Sequence, residues 1–344
     1  MAFKKLKVKV GQVTGTHTNF PTLIQPSLIT GLGSITLAEA QSARFYSDVG
    51  KTTEIAREIV SADEIHVKVT SMEALAEIWM DYDGIRSDYA VTATYGAENV
   101  WSDFDVVVHW EDMVDGTSAV ESTGSHTITL GSAVDQTASG QIESGVTKEV
   151  SNEPTGLVET NKTSINTSGF SYSVWARPTS WNPGGSGDFR VLAEQYRPDN
   201  IYYVAINATD VRWKIIDSSN NLNSTIDFNV TNSLNVWAKW DFVWDGSTNY
   251  IYKDGDEVGS ATQTSIRNIA TTLTLLTSVS SDWVFRGQAD EIRFTSNGVA
   301  RSANWITTEY NNQNANGSFW EATDAGGGGS TPAQAARRGA VMMM

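Results

Sequence analysis

The stretch WDFVWDGSTNYIYKDGDEVG, residues 240–259, sets two Asp-Gly pairs among runs in which aromatic and polar side chains alternate. Glycine after aspartate supplies the positive φ that a tight connection between twisted strands needs, so each pair reads as a hairpin turn. A side-chain period of two then sorts the neighbourhood. Ala238, Trp240, Phe242 and Trp244 share one face, and Trp237, Lys239, Asp241 and Val243 share the other. The first set is the more apolar and is assigned to a core. Trp237 is expected to be covered by a neighbouring domain or a terminal helix. Tyr250 and Tyr252 pair along the next strand.

The same signals recur along the chain. KLKVKV, EIHVKVT, FSYSVWARP, IYYVAI, VRWKIID and ADEIRF alternate and are separated by Gly, Asn, Asp and Ser clusters, which makes this an all-β chain. The lysines of MAFKKLKVKV read as outward charges on an edge strand. SMEALAEIWM fits a helix, although its end, AEIWMDYDG, fits a strand equally well. SANWITTEYNNQ reads as a short terminal helix, with Ser302 as N-cap and Trp305, Ile306 and Tyr310 at helical spacing.

The polar, small-residue run HWEDMVDGTSAVESTGS suggests a boundary between residues 110 and 125. It divides the chain into an N-terminal β-domain, 1–115, and a second domain, 116–320. Residues 321–344 read as a glycine-rich linker and tail, in which Arg337 and Arg338 suit acidic groups and Met342, Met343 and Met344 suit an apolar pocket on a partner. Disorder is the other reading of that segment.

Composition excludes whole classes of function. With 40 acidic against 24 basic residues and a net charge of -16, the chain is a poor partner for nucleic acid. The absence of cysteine removes disulfides, thiol nucleophiles and thiolate metal sites. No apolar run is long enough to cross a membrane, and the N-terminus shows no apolar signal-peptide core. His17, His66, His109 and His126 stand in no local metal-ligand spacing, and alternation makes His66 and His109 structural. GGSGDF around Ser186 lacks the closing glycine of a nucleophile elbow. No strand carries alternating carboxylates of the kind glycoside hydrolysis uses, and Asp254, Asp256 and Glu257 straddle a turn. No enzyme is indicated.

Several motifs, in order, carry a resemblance. FSYSVWARPTSW, RVLAEQ, YYVAI, VRWKIID, NVWAKWDFVWDGSTNYIYKDGDEVGSA and GQADEIRFTSNGVARSANWITTEYNN together resemble the laminin-G-like, concanavalin A-like jellyroll family over Phe170–Tyr310. NFPTLIQ, ARFYSD, EIHVKVTSM, AEIWMDYDG and NVWSDFDVVVHWED resemble a small β-domain of unknown function that often precedes such jellyrolls in bacterial and phage proteins. The resemblance implies a small β-domain followed by a concanavalin A-like sandwich, a fold that commonly binds carbohydrate or protein surfaces. It also makes Asp290 the match to an aspartate that helps hold a structural calcium in related jellyrolls; a plain surface aspartate is the other reading, and no cofactor is required.

Sugars are held by exposed aromatic faces and a few directed hydrogen bonds, which nominates the loop residues Trp181, Tyr196 and Trp283, with Asp188 and Arg197 for polar contacts. The resulting expectation is a non-enzymatic bacteriophage virion protein (head decoration, fibre or tail-associated) with an outward lectin-like domain. It is assembled in the host cytoplasm, contacts capsid or tail proteins, forms a homo-oligomer and inserts into no membrane. An exported bacterial carbohydrate-binding module or adhesin is the alternative, and a polysaccharide-degrading enzyme a distant third.

Overall fold

The computed structural model describes residues 2–148, 158–162, 168–181, 189–195, 202–216, 225–267, 272–277, 284–295 and 298–325. Among these the strands form four sheets, of nine, eight, five and three strands. The two larger sheets make the jellyroll. Phe170–Pro178 pairs with Ala238–Trp244 so that Val174 stands opposite Trp240 and Tyr172 opposite Phe242. Trp240, Phe242 and Trp244 enter the space between the sheets, as their alternation demands, and meet Tyr172, Leu192, Val204 and Trp213 there. Each such side chain contributes about 1.5–3 kcal/mol by burial.

The Asp-Gly pairs are the turns they spell. Asp254 and Gly255 take φ of 54° and 86°, the pattern of a two-residue type I′ hairpin. At the other turn Gly246 takes φ of 95°, and Asp245 Oδ1 accepts the N–H groups of Ser247 and Thr248, each at 2.8 Å.

Residues one position out of phase face away from the jellyroll core and are buried by the helix Ala303–Asn314. Ser302 caps it by accepting the N–H of Trp305 at 3.3 Å. Val243 packs against its Ile306, while Trp175 Nε1 donates to Gln313 at 2.8 Å.

The N-terminal part folds as two smaller sheets around Leu6, Phe20, Phe45, Val67, Met80 and Trp101. SMEALAEIWM resolves into the strand Glu77–Tyr82, entered through Leu75 at φ 64°. The lysine-rich strand Ala2–Val8 is not an edge. It lies between Glu77–Tyr82 and Trp320–Asp324, and Lys4 and Lys5 pair with Asp324 and Glu77 at 2.8 and 3.1 Å. Sheet pairing therefore continues through Asp324, past the start of the linker read from the sequence, and Trp320 is buried in the N-terminal core.

The two cores are stitched at a second point. Val106–Val108 pairs with the closing jellyroll strand Gly287–Thr295, placing Val106 and Val108 in the jellyroll core and Val107 in the N-terminal one. That closing strand takes two partners in succession on one edge: Gly145–Lys148 along 287–289, then Val106–Val108 along 292–294. Asp290 and Glu291 fall at the gap between them, and Glu291 turns to φ 51°.

Candidate functional site

Trp237 is a half-buried aromatic side chain that lines a cleft at the jellyroll margin. The strand begins only at Ala238, so Trp237 belongs to the approach loop rather than to the alternation. Asn235 at φ 61° sets that loop, donating its N–H to Pro178 O at 2.8 Å while Arg177 Nε donates to Asn235 O at 3.1 Å. Trp237 is half-buried, and Val236 beside it is 55% exposed.

A cleft of about 80 Å³ opens here, lined by Trp237, Trp240, Pro178, Asn232, Lys253 and Asp254 among others. Its polar groups are held in place. Lys253 Nζ donates to Thr231 O at 2.7 Å and to Asn232 Oδ1 at 3.0 Å, and lies 5.4 Å from the centre of the Trp240 ring. Asp254 Oδ1 accepts the N–H of Lys239 at 2.9 Å, which leaves Oδ2 to accept from a ligand. Burial raises the Asp254 pKa, against the pull of the Lys239 N–H and the Lys253 charge. Burial likewise lowers that of Lys253, with Asp254 opposing. An aromatic face beside one acceptor and one cationic donor is the donor set a saccharide ring uses.

Of the residues nominated from the sequence, Trp181 is half-buried and packs against the jellyroll core. Tyr196, Trp283, Asp188 and Arg197 lie outside the described residues, as do Arg337, Arg338, Met342, Met343 and Met344. Asp290 is not at the surface. It is fully buried, Oδ2 accepting the N–H of Ile142 and Oδ1 that of Glu291, each at 2.8 Å. Both oxygens thus accept a backbone N–H, and the group is enclosed rather than solvated. Burial, reinforced by Glu291 and Glu64, pushes the Asp290 carboxyl well above its ordinary range.

The model of the family described as the concanavalin A-like lectin/glucanases superfamily matches residues 151–332. The chain belongs to that superfamily. Part of the chain is also similar to solved structures. The binding domain of Paraclostridial Mosquitocidal Protein 1 is 12% identical with a TM-score of 0.48, over 61% of this chain and 52% of that one. The receptor-binding domain of botulinum neurotoxin type G is 15% identical with a TM-score of 0.47, over 60% and 51%. Domain 4 of AbnA, an extracellular GH43 arabinanase from Geobacillus stearothermophilus, is 15% identical with a TM-score of 0.45, over 60% and 97%. This chain thus spans about half the length of the two toxin domains. No curated protein matches its sequence.

Beyond the lectin-like jellyroll, the superfamily member brings buried charge together at the junction with the N-terminal sheets. His66 and His109, read separately as structural, stack with ring centres 4.4 Å apart. Nothing local in the sequence signals this, because His66 comes from the strand Ile65–Met72 and His109 follows the strand Val106–Val108, in distant segments.

Proposed function

We propose that the chain is a non-enzymatic carbohydrate-binding protein that holds the end of a glycan against Trp237. The cleft carries this reading. A volume of about 80 Å³ is small beside the several hundred Å³ of enclosing pockets, and suits a ring laid on an aromatic face. Asp254 is the carboxylate among the described lining residues, whereas glycoside hydrolysis uses two on either side of the bond. Membership of a lectin-containing superfamily supports binding without specifying the sugar.

In the same reading the protein is a bacteriophage virion component, with the jellyroll outward and Arg337, Arg338 and Met342–Met344 toward capsid or tail proteins. The order of the two resembled domains and a chain that folds without disulfides support this placement. Mass spectrometry of gradient-purified particles tests it; a chain found only in the soluble fraction removes it.

Glycan-array binding tests the site itself. The wild-type chain binds at least one glycan class, Trp237→Ala weakens it about tenfold or more, equivalent to about 1.4 kcal/mol, and Trp181→Ala leaves it unchanged. An array on which the wild type binds nothing, or on which Trp237→Ala binds as well as wild type, removes the assignment.

A further inference from the structure

Glu64, His66, His109 and Glu291 converge from both halves of the molecule. Glu64 and His66 come from the hairpin of Arg57–Ile59 and Ile65–Met72. His109 follows the crossing strand Val106–Val108, and Glu291 sits in the gap of the closing jellyroll strand. One ligand-type atom from each lies within 4.8 Å of the other three, and all four residues are buried.

Three of the separations are near those of a coordination shell, while His109 and Glu291 stand at hydrogen-bond distance. Glu64 Oε1 is 3.0 Å from His66 Nε2 and 3.2 Å from His109 Nδ1, and His66 Nε2 is 4.0 Å from Glu291 Oε1. His109 Nδ1 also contacts Glu291 Oε1. Four ligands at about 2.0–2.1 Å from a tetrahedral zinc ion stand about 3.3 Å apart.

The surroundings fit as well. His109 Nε2 faces Glu58 Oε2 at 3.1 Å, the carboxylate–imidazole pairing that orients a metal-bound histidine. Glu291 Oε2 is held by Arg293. Glu64 Oε2 and His66 Nδ1, the second polar atoms of two of these side chains, are buried without a hydrogen-bond partner. A cleft of about 40 Å³ reaches His109 from outside and is lined by Glu58, Glu111 and Asp112, an acidic approach for a cation. Trp110, in the same cleft, is held at φ 70°, a strained conformation for a bulky residue.

We propose that these four residues bind one structural zinc ion that fastens the N-terminal sheets to the jellyroll. Two carboxylates and two neutral imidazoles balance a divalent charge, and four protein ligands close a tetrahedral shell with no position left for substrate. The sequence hides the site because its histidines are supplied by separate segments and its second carboxylate follows 182 residues after His109.

The test uses the full chain stripped with a chelator and titrated with Zn²⁺ by calorimetry, with thermal unfolding followed in parallel. One equivalent of Zn²⁺ binds per chain and raises Tm, Ca²⁺ and Mg²⁺ do not, and Co²⁺ in its place gives the intense visible absorption of a tetrahedral site. Glu58→Gln, which leaves all four ligands in place, weakens Zn²⁺ about 10- to 100-fold. His66→Gln and His109→Gln abolish binding, whereas His126→Gln retains it. If either ligand variant fails to fold, the wild-type titration and Glu58→Gln decide. Absence of wild-type Zn²⁺ binding, an equal response to Ca²⁺, or retention of the site in both folded ligand variants overturns the proposal.

Discussion

Lys239 and Glu309 meet at 2.8 Å, both buried, one on a jellyroll strand and the other on the helix that follows the jellyroll. Lys239 Nζ also reaches Asp241 at 2.5 Å, and Glu309 Oε1 accepts from Arg293 at 2.7 Å. Alternation puts Lys239 and Asp241 on the strand face opposite the core, and Glu309 stands one helical turn beyond Trp305. The helix is thus docked by charge as well as by Val243 and Ile306.

Removing one member of such a network leaves its partners buried and uncompensated. Lys239→Met is expected to lower stability by about 3–5 kcal/mol. Lys239→Met/Asp241→Leu restores much of that loss, because an apolar pair of similar size has no charge to desolvate. Denaturant unfolding of the two variants and of Asp241→Leu closes the cycle. Equal losses in Lys239→Met and in the double variant would contradict it.

The same face gives a pH dependence whose sign is fixed. Burial, opposed by Lys239, pushes the Asp241 pKa up to about 6. A raised native pKa favours the folded state while the group is protonated, so this contribution is full below the unfolded value near 3.8 and is lost as pH rises through about 6. Glu309 works oppositely: although burial raises it, Lys239 and Arg293 hold it below its ordinary value, so its contribution is lost as pH falls through the native pKa. Asp241→Asn should therefore gain on wild type from about pH 4 to about pH 6 and level off above that. Unfolding midpoints across that range check it, and a constant difference would count against the assignment.

What the sequence disclosed was local. Turn chemistry at Asp254-Gly255 and the alternation of Trp240, Phe242 and Trp244 need only near neighbours, and both reappear in the fold. Trp237 departs from that alternation because the strand starts one residue later, at Ala238, after the turn at Asn235. The lysine-rich strand looked like an edge because its second partner, Trp320–Asp324, comes from the far end of the chain. His66, His109 and Glu291 are hidden for the same reason: single segments carry no such spacing, and the sheets assemble the cluster from three.

That long-range closure makes Gly31 a sharp probe. The loop carrying it lies against the strand Trp320–Asp324: Ala322 N–H donates to Thr30 O at 2.9 Å, and Lys4 Nζ donates to Gly31 O at 3.1 Å. Gly31 has φ of 88°, and a Cβ there would stand 2.0 Å from the backbone oxygen of Ala322. Gly33, nearby, has φ of 75° but nothing within 4 Å of its would-be Cβ. Gly33→Ala should therefore carry only the left-handed strain of an alanine, about 1–2 kcal/mol. Gly31→Ala carries similar strain plus a collision that backbone must move to relieve. Its loss is expected to exceed that of Gly33→Ala clearly, and hydrogen exchange should show faster opening of Ala2–Val8 and Trp320–Asp324 with the jellyroll strands little changed. Equal losses in the two variants would mean that the loop gives way freely and that the closing strand does not depend on this contact.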